Sequence, residues 1–154
     1  MQSPFFKTVL LVEDTEDELF LFKKACERAG VTFALQVARD GAQAIAYLSG
    51  AGVYADRNRY PMPALLILDI NMPSVSGFEV LRWVKAYPDA KQLIVVMFTT
   101  SSAESDIRHA YDLLANSYLV KPVNVSHLVE TVSTLERYWL NMNVTPPLPP
   151  SPAV

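Results

Sequence analysis

Apolar and polar positions along the chain switch repeatedly between continuous runs and helical spacing. Thr8 to Val12 is a β-branched and leucine-rich run that ends in acid, the pattern of a strand buried on both faces. From Glu16 to Arg28 the apolar positions Leu19, Phe22, Ala25 and Cys26 recur as on one face of a helix, and Gly30 supplies a stop. Leu35 to Ala38 predicts a short second strand. Asp40 then stands as N-cap before Ala42, Ala44, Ile45, Tyr47 and Leu48, a helix that Gly50 and Gly52 close. Val53 to Pro63 is polar, contains two prolines and reads as an exposed loop that delays the third strand. That strand, Leu65 to Leu68, runs into Asp69 and the breaker Asn71-Met72-Pro73. Ser74 or Ser76 caps a helix through Phe78, Val80, Leu81, Val84 and Lys85, ended by Pro88. Leu93 to Phe98 is a fourth strand, about Glu104 to Ala115 a helix, and Ser117 to Val120 a fifth strand. A last helix carries Leu128, Val129, Val132, Leu135 and Trp139 on one face. The Pro-rich stretch 145–154 is expected to be disordered.

Five strands alternating with five helices imply an α/β fold, because each crossover must return right-handedly to begin the next parallel strand. The favoured architecture is a flavodoxin-like doubly wound sheet of order 2-1-3-4-5 with five flanking helices, one domain over residues 1–144. Ligands in such sheets sit at the carboxyl ends of the strands, near the switch point between strands one and three. Composition agrees with a well-supplied core: 51% of the 154 residues are hydrophobic and 19% charged. Thirteen Lys and Arg stand against sixteen Asp and Glu, with no basic run to track a phosphate backbone, which argues against nucleic acid as a partner. The lone Cys26 rules out an intrachain disulfide and suits a reducing cytoplasm. The apolar run Val9 to Val12 is too short for a membrane span.

The strand tips carry the chemistry. Glu13 and Asp14 follow strand one, Asp69 ends strand three, Thr99 follows strand four and Lys121 follows strand five. Three carboxylates within a few ångströms repel by roughly 4 kcal/mol per close pair at intermediate dielectric, so a compensating hard cation is expected. Mg²⁺, which takes oxygen ligands and is commonly held by one or two carboxylates plus a phosphate oxygen, fits that need. An Asp carboxylate is a competent nucleophile toward phosphorus when cations neutralise the group being transferred. Asp69 is the candidate, with the Lys121 ammonium and the Thr99 hydroxyl placed to meet phosphoryl oxygens.

These residues, from about Lys7 to Met142, resemble the receiver domains of response regulators. Thr99 follows Asp69 by 30 residues, Gly77 by 8 and Lys121 by 52, intervals that look like the family's own. The resemblance implies that Asp69 is the phosphoacceptor and that Glu13, Asp14, Asp69 and the Asn71 backbone carbonyl hold Mg²⁺. It implies that Thr99 and Lys121 are catalytic and that Thr99 and Tyr118 form the switch. A sensor histidine kinase would donate the phosphoryl group to this single-domain response regulator, and output would be protein contact. The long loop 53–63, Thr99-Thr100-Ser101, Asn116-Ser117-Tyr118 and the Tyr138-Trp139-Leu140 ending look like receivers that partner bacterial phytochromes. Helix four, strand five, helix five and the C-terminal aromatics are assigned to a homodimer contact. Glu13 stands where many receivers have Asp, one methylene longer with the same charge.

A hydrolase of the aspartyl-phosphate kind needs a second Asp two residues beyond the nucleophile, where Asn71 stands and cannot exchange a proton. A flavodoxin's phosphate loop after strand one would meet Glu13, Asp14, Glu16, Asp17 and Glu18, which repel a phosphate. A receiver-shaped binding module without phosphorylation remains the third. His109 and His127 lie on predicted helices without a second metal ligand, and Cys26 falls on an apolar stripe; none receives chemistry. Phe20 meets either a kinase or a second buried face.

Overall fold

The computed structural model describes residues 6–147. Five strands, β1 (Thr8–Val12), β2 (Ala34–Ala38), β3 (Leu65–Leu68), β4 (Ile94–Thr99) and β5 (Ser117–Val120), alternate with five helices. These are α1 (Glu16–Ala29), α2 (Gly41–Ser49), α3 (Gly77–Ala86), α4 (Glu104–Asp112) and α5 (Val125–Leu135). The sheet is parallel throughout, in the order β2-β1-β3-β4-β5. The expected topology is therefore the observed one, and β1 and β3, where the order reverses, are neighbours.

Continuous apolar runs form the inner strands because side chains of alternate parity meet helices on opposite faces. Leu10, Val12, Leu66, Leu68, Val95 and Met97 pack on one face with Ala44 and Leu48 of α2, Val80, Leu81 and Val84 of α3 and Ala110 of α4. Val9, Leu11, Leu65, Ile67, Val96 and Phe98 pack on the other with Leu19, Phe22 and Cys26 of α1 and Leu128, Val132 and Leu135 of α5. Each fully buried aliphatic side chain contributes about 1.5–3 kcal/mol, so these two layers hold the strand tips rigidly in place.

Local signals set the element ends. Asp40 and Ser76 each accept a hydrogen bond from the backbone three residues on, at 2.7 Å from Gln43 and 3.3 Å from Glu79, so Ser76 rather than Ser74 caps α3. Gly30 and Gly50 close α1 and α2 with φ of 65° and 75°, a left-handed turn that costs glycine nothing.

Two segments depart from expectation. The stretch 53–63 is exposed at Val53, Ala55, Asp56, Asn58 and Arg59, as expected, but its aromatic residues are packed: after a 3₁₀ turn (Gly52–Ala55), Tyr54 and Tyr60 cluster with buried Tyr47, ring centroids 4.9–5.9 Å apart. Arg57 donates to the carbonyls of Tyr47, Leu48 and Tyr60, tying the insertion to the end of α2. Its polarity hid this, because an arginine can bury its stem while its head is satisfied by carbonyls. The last helix also changes character, passing at Glu136 into a π-helical segment through Met142. There Tyr138 is exposed, Leu140 is buried, and Lys7 Nζ donates to the Leu140 carbonyl at 2.5 Å. Of the Pro-rich stretch, Thr145, Pro146 and Pro147 border a small surface pocket with Met62, Leu93 and Ile94; residues 148–154 lie outside the described residues.

Candidate functional site

Four polar or charged side chains are buried among the described residues, and three of them, Glu13, Asp69 and Thr99, stand at the carboxyl edge of the sheet. Backbone pairing puts them there. The Asp69 amide donates to the Val12 carbonyl at 3.3 Å and the Glu13 amide to Ala38 at 3.0 Å, so both acids continue the strand ladders by one residue. The Lys121 amide donates to the Thr99 carbonyl at 2.7 Å, which fixes the start of the lysine side chain beside β4. Gly77 completes the frame: its amide donates to the Ile70 carbonyl at 2.9 Å, and a Cβ there would lie 2.0 Å from the Asp69 carbonyl oxygen. Only glycine lets α3 approach the acidic strand end so closely.

Glu13, Asp14 and Asp69 each offer a carboxylate oxygen, all within 4.8 Å of one another. This group has the hard oxygen donors and the negative charge that suit a divalent cation. Lys121 balances part of that charge, its Nζ lying 2.7 Å from Glu13 Oε2 and 3.0 Å from Asp69 Oδ2 and pairing also with Glu18 Oε2. Burial raises the Glu13 carboxyl to about 7, against the opposing hydrogen bond and charge of Lys121, and the Asp69 charge adds to the rise. Burial alone would lower Lys121, but hydrogen bonds to Glu13 and Glu18 and the charge of Asp69 outweigh it and hold the ammonium well above its usual range. Glu18 responds the other way. Burial would raise it, yet the hydrogen bonds with Lys121 and Glu13 lower it.

Behind this pocket runs a second chain of contacts. The Ser101 amide donates to the Thr99 hydroxyl at 3.4 Å, the Tyr118 hydroxyl donates to the Ser101 carbonyl at 2.9 Å, and Ser101 Oγ donates to Asp106 at 2.6 Å. Thr99 and Tyr118 are thus linked through one residue. Tyr118 is half-buried against the core, and burial raises its phenol. Asn71 lies exposed in the loop two residues beyond Asp69.

The family model for the response regulator receiver domain matches residues 9–133. The chain belongs to the response regulator receiver family. Among its relatives is the response regulator Rcp1 of Synechocystis, 36% identical over 140 residues that span 91% of this chain and 93% of Rcp1. A structure of Rcp1 in its Mn²⁺-bound form superposes with a TM-score of 0.80 over 92% of this chain and 99% of that one. The probable methanogenesis regulatory protein FilR2 of Methanothrix harundinacea is also 36% identical, over 94% of this chain and 90% of its own. The phosphorylated cyanobacterial phytochrome response regulator RcpA is 37% identical, with a TM-score of 0.84 over 92% of this chain and 99% of that one. As a response regulator, this receiver works in two-component signalling with a histidine kinase.

Sequence reasoning located every residue of the acidic pocket except Glu18, which it counted only as one more repelling acid. Its partner is 103 positions away and no spacing rule connects them. The run Thr99-Thr100-Ser101 carries no sequence signal that links Ser101 to Tyr118, 17 residues away. Among the described residues no helix is long and apolar enough to cross a membrane.

Proposed function

We propose that this receiver accepts a phosphoryl group on Asp69 from the phosphohistidine of a sensor histidine kinase. The observation that carries the reading is Lys121 Nζ 3.0 Å from an Asp69 carboxylate that shares its pocket with Glu13 and Asp14. In the transfer, the P–N bond of the donor breaks with its electron pair returning to the imidazole, while an O–P bond forms at Asp69. Glu13, Asp14, Asp69 and the Asn71 carbonyl would hold Mg²⁺, which supplies charge neutralisation to the phosphoryl oxygens when bound. Lys121 meets a phosphoryl oxygen as a compact point charge, and the Thr99 hydroxyl meets another. Turning of the Thr99 hydroxyl would draw on its contact with Ser101 and so reach Tyr118, which makes these two the switch pair.

The kinase we favour is a phytochrome, on the likeness to RcpA and on the long packed insertion at 53–63. FilR2 and Rcp1 are each 36% identical to this chain, so identity alone does not choose the kinase and direct transfer does. ATP-dependent kinases act in the cytoplasm, and we place this receiver there. We assign a homodimer contact to α4, β5, α5 and the C-terminal aromatics, where Tyr111, Leu114, Val120 and Tyr138 are exposed.

The test is intact mass after incubation with Mg²⁺ and acetyl phosphate, beside Asp69→Asn. A phosphate-sized gain is expected in the wild type and none in the variant. No gain in either would leave a receiver-shaped binding module. Transfer from a purified phytochrome kinase that changes with red light is expected next; transfer indifferent to light removes the phytochrome assignment.

A further inference from the structure

Lys121 has three N–H donors and spends them on three carboxylates, those of Glu13, Asp69 and Glu18. The three are not equivalent. Glu13 and Asp69 belong to the group whose oxygens converge within 4.8 Å and suit a cation, whereas Glu18 stands outside it. Glu18 lies in the first turn of α1, and its side chain is 35% exposed where that of Lys121 is 11% exposed. It thus reaches the ammonium from the solvent side of the pocket. The Lys121 ammonium also stands 6.0 Å from the Phe98 ring, beside a crevice that Leu21, Phe22 and Pro122 help to line. The flexible four-carbon stem of a lysine has many rotamers and needs anchors to aim its head.

We propose that Glu18 is a positioning residue that keeps Lys121 aimed at Asp69 when Glu13 and Asp69 turn to other partners. The inference rests on the reading of Asp69 as phosphoacceptor. With Glu13 engaged by a divalent cation and Asp69 converted to its acyl phosphate, Glu18 is the remaining carboxylate of the three. One N–H then stays on Glu18 and leaves the others free to meet a phosphoryl oxygen. Glu18 also joins α1 to the segment between β5 and α5, so the lysine is held across two elements on the same face of the sheet.

The experiment is a double-mutant cycle with Glu18→Gln and Lys121→Met, read by the limiting rate of Asp69 phosphorylation at saturating acetyl phosphate. Glu18→Gln is expected to lower that rate about fivefold to tenfold, the scale of a slightly misplaced group, and to change nothing further in the Lys121→Met background. Two metal-independent or metal-only readouts accompany it. In the metal-free protein, the Lys121 ammonium resonance is expected to be resolved in the wild type and broadened in Glu18→Gln, while calorimetric Mg²⁺ affinity stays within about twofold. A rate that is unchanged or rises, an effect undiminished without Lys121, or a tenfold loss of Mg²⁺ affinity would each overturn the proposal. Failure of the wild type itself to accept phosphate would instead overturn the phosphoacceptor reading.

Discussion

Replacing Glu13 by Gln should stabilise the metal-free protein, and the gain should depend on pH. The Glu13 side chain is 4% exposed, and burial moves its carboxyl from 4.5 to about 7. Between those values the folded chain retains a proton that the unfolded chain releases, so stability is fully present below 4.5 and is lost as pH rises toward 7. A displacement of that size corresponds to about 3 kcal/mol as a ceiling, at about 1.4 kcal/mol per pH unit. Glutamine keeps the shape and stays neutral, so at pH 8 in chelator Glu13→Gln should gain between about 1 and 3 kcal/mol. For a domain of this size that raises the melting temperature by roughly 3–9 °C. Near pH 5 the difference should shrink to under about 1 kcal/mol. Mg²⁺ at a hundredfold excess over its dissociation constant adds about 2.7 kcal/mol to the wild type and much less to the variant, which should close or reverse the gap at pH 8. Scanning calorimetry at both pH values, with chelator and with Mg²⁺, measures all four cases. A variant no more stable than wild type at pH 8 in chelator, or a gap that ignores pH, would refute the account of a buried, strained carboxylate.

Gly77→Ala places a methyl group 2.0 Å from the Asp69 carbonyl oxygen and must push α3 off the end of β3. Denaturant titration should show a loss of about 2 kcal/mol or more, with slower phosphorylation because the displaced atom belongs to Asp69 itself. Arg57→Ala removes donors to the carbonyls of Tyr47, Leu48 and Tyr60 and should cost about 2–3 kcal/mol in the same titration. Its phosphorylation rate should stay near that of the wild type, since the clamp sits before β3 and Asp69 follows it.

What could be read in the sequence divides by the range of the interactions involved. Strands buried on both faces advertise themselves as unbroken apolar runs, and Asp40 or Ser76 caps a helix through a hydrogen bond three residues away. Both signals are local, and both were read. The topology followed because alternation of the elements leaves few right-handed solutions. The packing within 53–63 has no local signal: Tyr54 and Tyr60 gain burial against Tyr47 and against each other, and Arg57 finds its acceptors in α2 and at Tyr60. The π-helical ending was likewise invisible, since Glu136 accepts from the Thr32 amide at 2.7 Å and Lys7 holds the Leu140 carbonyl, contacts that span more than a hundred residues. Composition at a strand tip reveals which residues are chemically capable, whereas the partner each one takes is decided by the assembled edge.

That distinction matters most in the acidic pocket. Three carboxylates, Glu13, Asp14 and Asp69, converge within 4.8 Å beside one ammonium that is shared with Glu18 outside the group, so complete ionisation of the group would leave a net two negative charges in a partly desolvated space. At several kcal/mol per close pair this arrangement is costly, and a Glu13 carboxyl raised chiefly by burial, with the Asp69 charge adding to the rise, lets the metal-free pocket hold a proton near neutral pH. A divalent cation offers twice that relief at the same place, so proton and cation compete for Glu13. Metal binding near pH 7 should therefore release protons, and affinity should weaken as pH falls below about 7. The pocket is held by the two hydrophobic layers of the sheet in an arrangement that its own charges oppose. The phosphoacceptor carboxylate is thus already surrounded, before any donor arrives, by groups whose unrelieved charge favours the incoming cation.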